Sequence, residues 1–308
     1  MATSRVSLAG RRHEPALRLR VRRALCRGES PTGKGHRRCA RTPDLESRRF
    51  LQSAVIARDL LGREFDFPQP PRRVVSLVPS LTETLFELGA GEQVVGITDF
   101  CIFPRGMDRT RVGGTKTPSV ARIRQLAPDI VYVNLEENLK RHADEIAAFA
   151  PVFSTEPKSV DDVAALISLL GSIHRSEKRA TELVALLAAN RQPLAAFTFV
   201  VPIWKKPWMW CGGDTYVSNL VVSIGGRNLL GDRTRYPIIE AQEVTALRPD
   251  VIFLPDEPYL FTEADADAMR EMSGARIIGP FPGHLFTWHG ARTIEGLRFL
   301  QRSFAMPR

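Results

Sequence analysis

Two stretches far apart in the chain read almost alike, and together they restrict the fold more than any other feature. They are IRQLAPDIVYV (123–133) and VTALRPDVIFL (244–254). In each, a helical pattern stops at Pro-Asp and gives way to an unbroken apolar run. Proline disfavours helical geometry in the residue before it, which explains the stop. A short run with no polar alternation suits a parallel strand covered on both faces. Upstream, LFELGAGEQVVG (85–96) and LVVSIGGRNLLG (220–231) repeat a second pattern: a helix end, glycines for its cap, then a short apolar strand. Each half also opens with a strand, RVVSLV (73–78) and AFTFVV (196–201). The duplication predicts an α/β protein of two Rossmann-like parallel-sheet lobes.

Between the halves lies SEKRATELVALLAANRQ (176–192), in which Ala180, Leu183, Leu186 and Leu187 recur at helical spacing behind Ser176 as a candidate N-cap. At ~1.5 Å per residue, a helix of ~17 residues spans ~25 Å, enough to run along both lobes as one long backbone helix. A preceding helix, SVDDVAALISLLGS, opens with the capping pair Ser159 and Asp162. The expected division is a basic extension over 1–56, an N-terminal lobe over 57–175, the connecting helix over 176–192 and a C-terminal lobe over 193–308.

Charge sets the extension apart. The chain of 308 residues carries a formal +9, yet residues 1–49 hold 14 Lys+Arg against 4 Asp+Glu, so the remainder is close to neutral. The segment is rich in Arg, Gly and Pro, lacks apolar periodicity, and reads as unstructured. Without aromatic interleaving or a recognisable module it gives no reason to expect a nucleic-acid partner. Insertion into a membrane is not expected either, because no apolar run approaches ~18 residues. Ser47-Arg48-Arg49-Phe50-Leu51-Gln52 is like a twin-arginine signal, but Arg58 and Asp59 interrupt the apolar segment that should follow. As written, the chain is expected in the cytoplasm; a different start site would place it in the periplasm or at the cell surface.

In parallel sheets, ligands sit beyond the carboxyl ends of the strands. The first strand ends at Val78 and runs into Pro79-Ser80-Leu81-Thr82-Glu83. Proline ends the ladder there, and Ser80 with Glu83 has the spacing of a capping box, so a helix N-terminus should face the crevice.

These residues resemble a known family. RRVVSLVPSLTETLFELG, VGITDFCIFP, VGGTK and IRQLAPDIVYV, with the long connecting helix, are similar to the substrate-binding proteins of vitamin B12 and iron-chelate ABC importers. The resemblance spans about residues 58–303. It is closest to a branch without signal peptides, through GGTK (113–116), LEEN (135–138), IWKKPWM (203–209), GGDT (212–215), RTRYP (233–237), DEPY (256–259) and FTWHGAR (286–292). It implies two lobes bridged by a rigid helix, a corrinoid or metal-chelate ligand between them, and an ABC permease as partner. Three positions depart from the pattern. Ala121 and Gln242 stand where the family docks on its permease through a glutamate in each lobe, although Glu240 and Glu243 lie near the second. Asn134 stands where an aromatic residue lines the cobalamin cleft.

Strand ends nominate the binding residues. Pro79 and Ser80 follow the first strand, Thr115 and Lys116 belong to GGTK, and Asn134 and Glu136 close the second repeat's strand in the first lobe. In the second lobe, Trp204, Trp208 and Trp210 crowd one loop, with Arg235, Tyr236, Glu257, Tyr259, Trp288 and Arg292 in others. Flat apolar faces beside cations suit a planar or macrocyclic ligand bearing carboxylates or amides. Glu136, Glu137 and Glu257 should face one another across the crevice. His284 and His289 lack a third ligand in register, and Cys26 and Cys39 lack the paired spacing of a zinc site, so no metal or other cofactor is expected. No G-x-S-x-G, H-E-x-x-H or G-x-x-x-x-G-K-[ST] motif accompanies the carboxylates, so the expectation is a binding protein and not an enzyme.

Overall fold

The computed structural model describes the strand Leu19–Val21 and residues 54–305. The duplication appears as two parallel sheets. Ahead of them, β1 (Leu19–Val21), β2 (Val55–Arg58) and β3 (Glu64–Phe67) form a small antiparallel sheet in the order β1-β2-β3. Leu19–Val21 thus forms a strand inside the stretch read as an unstructured extension, with Leu19, Arg20 and Val21 opposite Ala57, Ile56 and Val55. Residues 54–56 at the end of that extension are described too, with Val55 and Ile56 in β2, and the rest of it lies outside the described residues.

The first lobe follows as β4 (Val74–Ser76), α1 (Pro79–Glu87), β5 (Val94–Ile97), β6 (Thr110–Arg111), α2 (Val120–Gln125), β7 (Ile130–Asn134), α3 (Lys140–Ala147) and β8 (Val152–Thr155). Its five strands are parallel in the order β6-β5-β4-β7-β8. Two helices cross to the second lobe, α4 (Val160–Ile173) and α5 (Glu177–Asn190). The second lobe contains β9 (Phe197–Val200), the hairpin β10 (Pro202–Trp204) and β11 (Met209–Trp210), α6 (Tyr216–Val222), β12 (Gly226–Asn228), α7 (Ala241–Thr245), β13 (Val251–Pro255), α8 (Glu263–Ser273), β14 (Arg276–Phe281), α9 (His284–Thr287) and α10 (Arg292–Ala305). Its parallel sheet has the order β12-β9-β13-β14.

The Pro-Asp repeats do the same work in each lobe. The Asp129 carboxylate accepts the Arg72 and Arg73 amides at 2.7 and 2.9 Å, and that of Asp250 accepts the Thr198 amide and hydroxyl, both at 2.7 Å. Each aspartate therefore holds the start of its lobe's leading strand. The apolar runs split by face as continuous buried strands should. Tyr132 and Phe253 enter one core that runs through both lobes, while Val131 and Val133 belong to an outer core of the first lobe and Ile252 and Leu254 to one of the second.

The predicted connecting helix is one arm of a hairpin. Ser159 caps α4 by accepting the Asp162 amide at 3.1 Å, whereas the Ser176 side chain makes no cap on α5. Asp161 at the start of α4 meets Arg191 just past α5 at 2.6 Å, so the two helices run antiparallel. Helix α4 packs on β2 of the small antiparallel sheet and on α6 of the second lobe, and α5 lies against α4 and α10.

Candidate functional site

In the first sheet, strand order reverses between β4 and β7; in the second, between β9 and β13. Such switch points leave a crevice at the carboxyl ends of the strands. Here the two crevices open on a single cavity of about 660 Å³. Pro79 after β4 and Asn134, Glu136 and Glu137 at the end of β7 meet Ile203 at β10 and Glu257 and Pro258 after β13.

The LEEN segment is held in a fixed turn. Asn134 Oδ1 accepts the amides of Glu136 and Glu137 at 2.8 and 3.3 Å. Asn138 Oδ1 accepts the Asn134 amide at 2.8 Å, and its nitrogen donates to the Leu77 and Thr115 carbonyls at 3.0 Å each. With its oxygen engaged, the Asn134 amide nitrogen points at His289 Nε2, 3.1 Å away, so that ring nitrogen accepts. Nδ1 then carries the proton and donates to Ser80 Oγ at 2.6 Å. Burial pushes the His289 pKa down to about 4, which keeps the ring neutral. A residue of the second lobe is thereby hydrogen-bonded to two of the first.

The carboxylates differ in their partners. Glu136 meets Arg235 at 2.8 Å and accepts the Tyr236 hydroxyl at 3.2 Å; Arg235 also reaches Glu156 at 3.3 Å. Lys116 donates to the Glu136 carbonyl at 2.5 Å. The Glu137 carboxylate makes no hydrogen bond or ion pair to the described residues. Burial raises its pKa to about 7, Lys116 acts against that rise, and the charges of Glu257 and Glu136 add to it. Glu257 accepts the Thr287 hydroxyl at 3.0 Å; burial raises its pKa, the Thr287 bond lowers it, and Asp256 raises it further. Gly283 fixes where Glu257 sits, because a Cβ there would lie 2.6 Å from the Glu257 amide nitrogen. Phe100 and Ile102 also line the cavity while 59% and 54% exposed, and Trp288 stands edge-on to Phe103 at 5.8 Å.

Of the residues nominated from the sequence, Pro79, Thr115, Lys116, Asn134, Glu136, Arg235, Tyr236, Glu257 and Trp288 lie in the cavity wall. The others do not. Ser80 is buried behind His289 and forms no capping box: Pro79 is the first helical residue, Val78 is the N-cap, and Glu83 pairs with Arg292. Arg292 is consumed by that pair and by Phe103, whose ring centre lies 3.9 Å from its guanidinium carbon. Trp204, Trp208, Trp210 and Tyr259 pack on the far side of the second sheet. Trp208 and Tyr259 pack on Phe261, Trp204 stands edge-on to Tyr259 at 5.5 Å, Trp208 stacks on Trp210 at 5.7 Å, and Trp210 donates to the Ile239 carbonyl at 2.8 Å. Sequence reasoning passed over Asp99, Phe100 and Ile102, which follow β5, and Glu156 and Lys158, which follow β8. The strand-end rule that nominated Glu136 would have found them. Among the described residues no cluster of His, Cys, Asp or Glu is arranged to hold a metal ion, and no helix is long and apolar enough to cross a membrane.

Two parallel-sheet lobes, a helical crossover and a cleft at both switch points define a two-lobed solute-binding protein. Residues 74–272 match the periplasmic binding protein family, and the chain belongs to it. It is 25% identical over 268 residues to the uncharacterized ABC transporter substrate-binding lipoprotein YvrC of Bacillus subtilis, covering 81% of this chain and 85% of that one. It is 27% identical over 197 residues to the vitamin B12-binding protein of Yersinia pestis, covering 60% and 69%. Among solved structures, the periplasmic vitamin B12-binding protein BtuF of Vibrio cholerae superposes with a TM-score of 0.62 at 19% identity, over 75% of this chain and 95% of its own.

Proposed function

We propose that the protein binds a small chelate or corrinoid-type solute in the cleft between its lobes and serves as the substrate-binding component of an ABC importer. The observation that carries this reading is the cavity at both switch points. Its volume of about 660 Å³ falls in the range of small-molecule sites, and it joins an apolar panel of Phe100, Ile102 and Trp288 to a rim of hydrogen-bonding groups. A flat macrocycle with a polar periphery matches that division. The relatives named for vitamin B12 support the ligand class, and the relative named as an ABC transporter lipoprotein supports the partner. The test is titration of the intact chain with cobinamide, haem and ferric chelates, read by quenching of tryptophan emission. Binding at micromolar concentrations is expected; its absence for every scaffold would refute the proposal.

A second reading, a cytoplasmic ligand-binding or sensing protein without a transporter, is favoured by one observation. Ala121 and Gln242 are exposed in the first turns of α2 and α7, where the family resemblance implies docking glutamates, and Arg122 and Arg124 flank the first of them. Cell fractionation, with sequencing of the native N-terminus, separates the two readings: an exported, processed chain favours the importer.

A further inference from the structure

We infer that the cleft selects its solute by charge, accepting a chelate whose rim carries ammonium or amide N–H groups and refusing one whose rim carries anions. The inference rests on the reading of the cleft as a solute site and narrows the ligand class within it.

The observation behind it is an imbalance in the cavity wall. Five carboxylates line the cavity against three cationic side chains. Those cations are already engaged: Arg235 spans Glu136 and Glu156, Lys158 lies 3.7 Å from Glu156, and Lys116 donates to the Glu136 carbonyl. Glu137 and Glu257 form no ion pair among the described residues, and the Lys116 charge that acts on Glu137 is shared with the Glu136 carbonyl. They follow equivalent strands of the two sheets, β7 and β13, so the unpaired acceptors come from both lobes onto one space. A carboxylate accepts hydrogen bonds and cannot donate them. An amide or ammonium rim supplies a donor for Glu137 and a second one for Glu257, which already accepts the Thr287 hydroxyl. A carboxylate or catecholate rim would bring like charge into a partly water-excluded space, where screening is weak.

The charges around the two groups also set the expected response to pH. Glu137 faces Lys116 from the segment after β6, Glu136 beside it and Glu257 across the cleft; Glu257 also has Asp256 and the Thr287 hydroxyl near by. His289 in the same wall stays neutral. Glu137 titrates at about 7, so near neutrality the cleft without solute holds a proton that an arriving cation displaces. Affinity for a cationic rim should therefore rise as pH rises through that value, and affinity for an anionic rim should fall.

The test uses the full chain and two pairs of ligands that differ in rim charge, read by isothermal calorimetry. One pair is cobinamide, with an amide rim, against cobyrinic acid, with carboxylates on the same corrin. The other is a ferric trihydroxamate bearing a free ammonium against a ferric tris-catecholate. In any scaffold that binds, the amide or ammonium member should bind about tenfold or more tightly at about pH 8, with a smaller gap at about pH 6. The Glu137→Gln, Glu257→Gln double variant should bind the amide or ammonium member less tightly and the anionic member more tightly, losing most of the discrimination and its pH dependence. Equal binding within a pair, tighter binding of the anionic member, or a preference unchanged between the two pH values would overturn the inference and leave the proposed function standing. Failure of all four probes at micromolar concentrations would overturn both.

Discussion

Pro79 decides what Ser80 does. As the first helical residue it makes Val78 the N-cap, which leaves Ser80 two residues past the cap and free to meet His289. The S-x-x-E letters do not reveal this, since the same spacing also puts Ser80 and Glu83 on the face that meets the second lobe. Register explains the other miss. On an extended trace neighbouring side chains point to opposite faces, so Ile203 lines the cavity while Trp204 next to it turns away. Which residues follow a strand was legible in the sequence; which face each one takes was not. Two predictions belong at this scale. Trp210→Ala should cost about 3–5 kcal/mol of folding stability, because the ring is fully buried in the outer core, and should leave solute affinity nearly unchanged. Urea unfolding beside a binding titration checks both halves. Arg292→Ala should cost about 3 kcal/mol or more, since it leaves Glu83 buried without its cation. Converting the pair together, Glu83→Gln with Arg292→Met, should recover much of that loss in the same measurement.

At the scale of elements, the crossover shows what periodicity can and cannot say. Both helices were legible from their apolar spacing, and Ser159 caps as its sequence suggested. The turn between them depends on contacts that no local pattern records. Arg175 adopts a φ of 56°, and His174 is buried against the first lobe, accepting the Tyr132 hydroxyl at Nε2 (2.8 Å) and donating from Nδ1 to Gln93 (2.5 Å). Burial pushes the His174 pKa down to about 4, as it does for His289. Because both folded values lie below the unfolded value of about 6.5, the unfolded chain takes up protons first as pH falls. The two histidines thus contribute stability that is complete above about pH 6.5 and is lost on the way down to about 4. Glu137, raised to about 7, works in the opposite sense over part of that window, so the histidine contribution is best isolated by substitution. His174→Gln should flatten the fall in melting temperature between about pH 6.5 and 4 relative to the unaltered chain. An unchanged slope would mean that His174 does not govern the acid limb.

For the whole molecule, the decisive feature is that the lobes share their largest core and keep only the outer ones to themselves. The largest core takes in Leu81 and Leu85 from α1, Leu166 and Leu170 from α4, Phe199 and Phe253 from the second sheet, and Leu297 from α10. The duplicated sequence showed two sheets, but each Pro-Asp repeat reads the same whether its inner face meets its own helices or a core shared with the other lobe. Polar ties add to that continuity. Thr84 Oγ1 accepts the Ala291 amide at 3.0 Å, and Gly290, at a φ of 87°, lets the loop lie against α1 where any Cβ would strike the Thr84 hydroxyl. Closing the cleft by a large hinge would require breaking this core, whereas proteins joined by extended linkers bend at a few loop residues. Solute binding should therefore change the radius of gyration by less than about 1 Å. Small-angle scattering of the chain with and without saturating solute measures it directly. Gly290→Ala provides the contrast: by forcing the loop off α1 it should lower the melting temperature and make the scattering curve respond more to solute. A large contraction in the unaltered chain would show that the shared core yields, and that the lobes move as separate bodies.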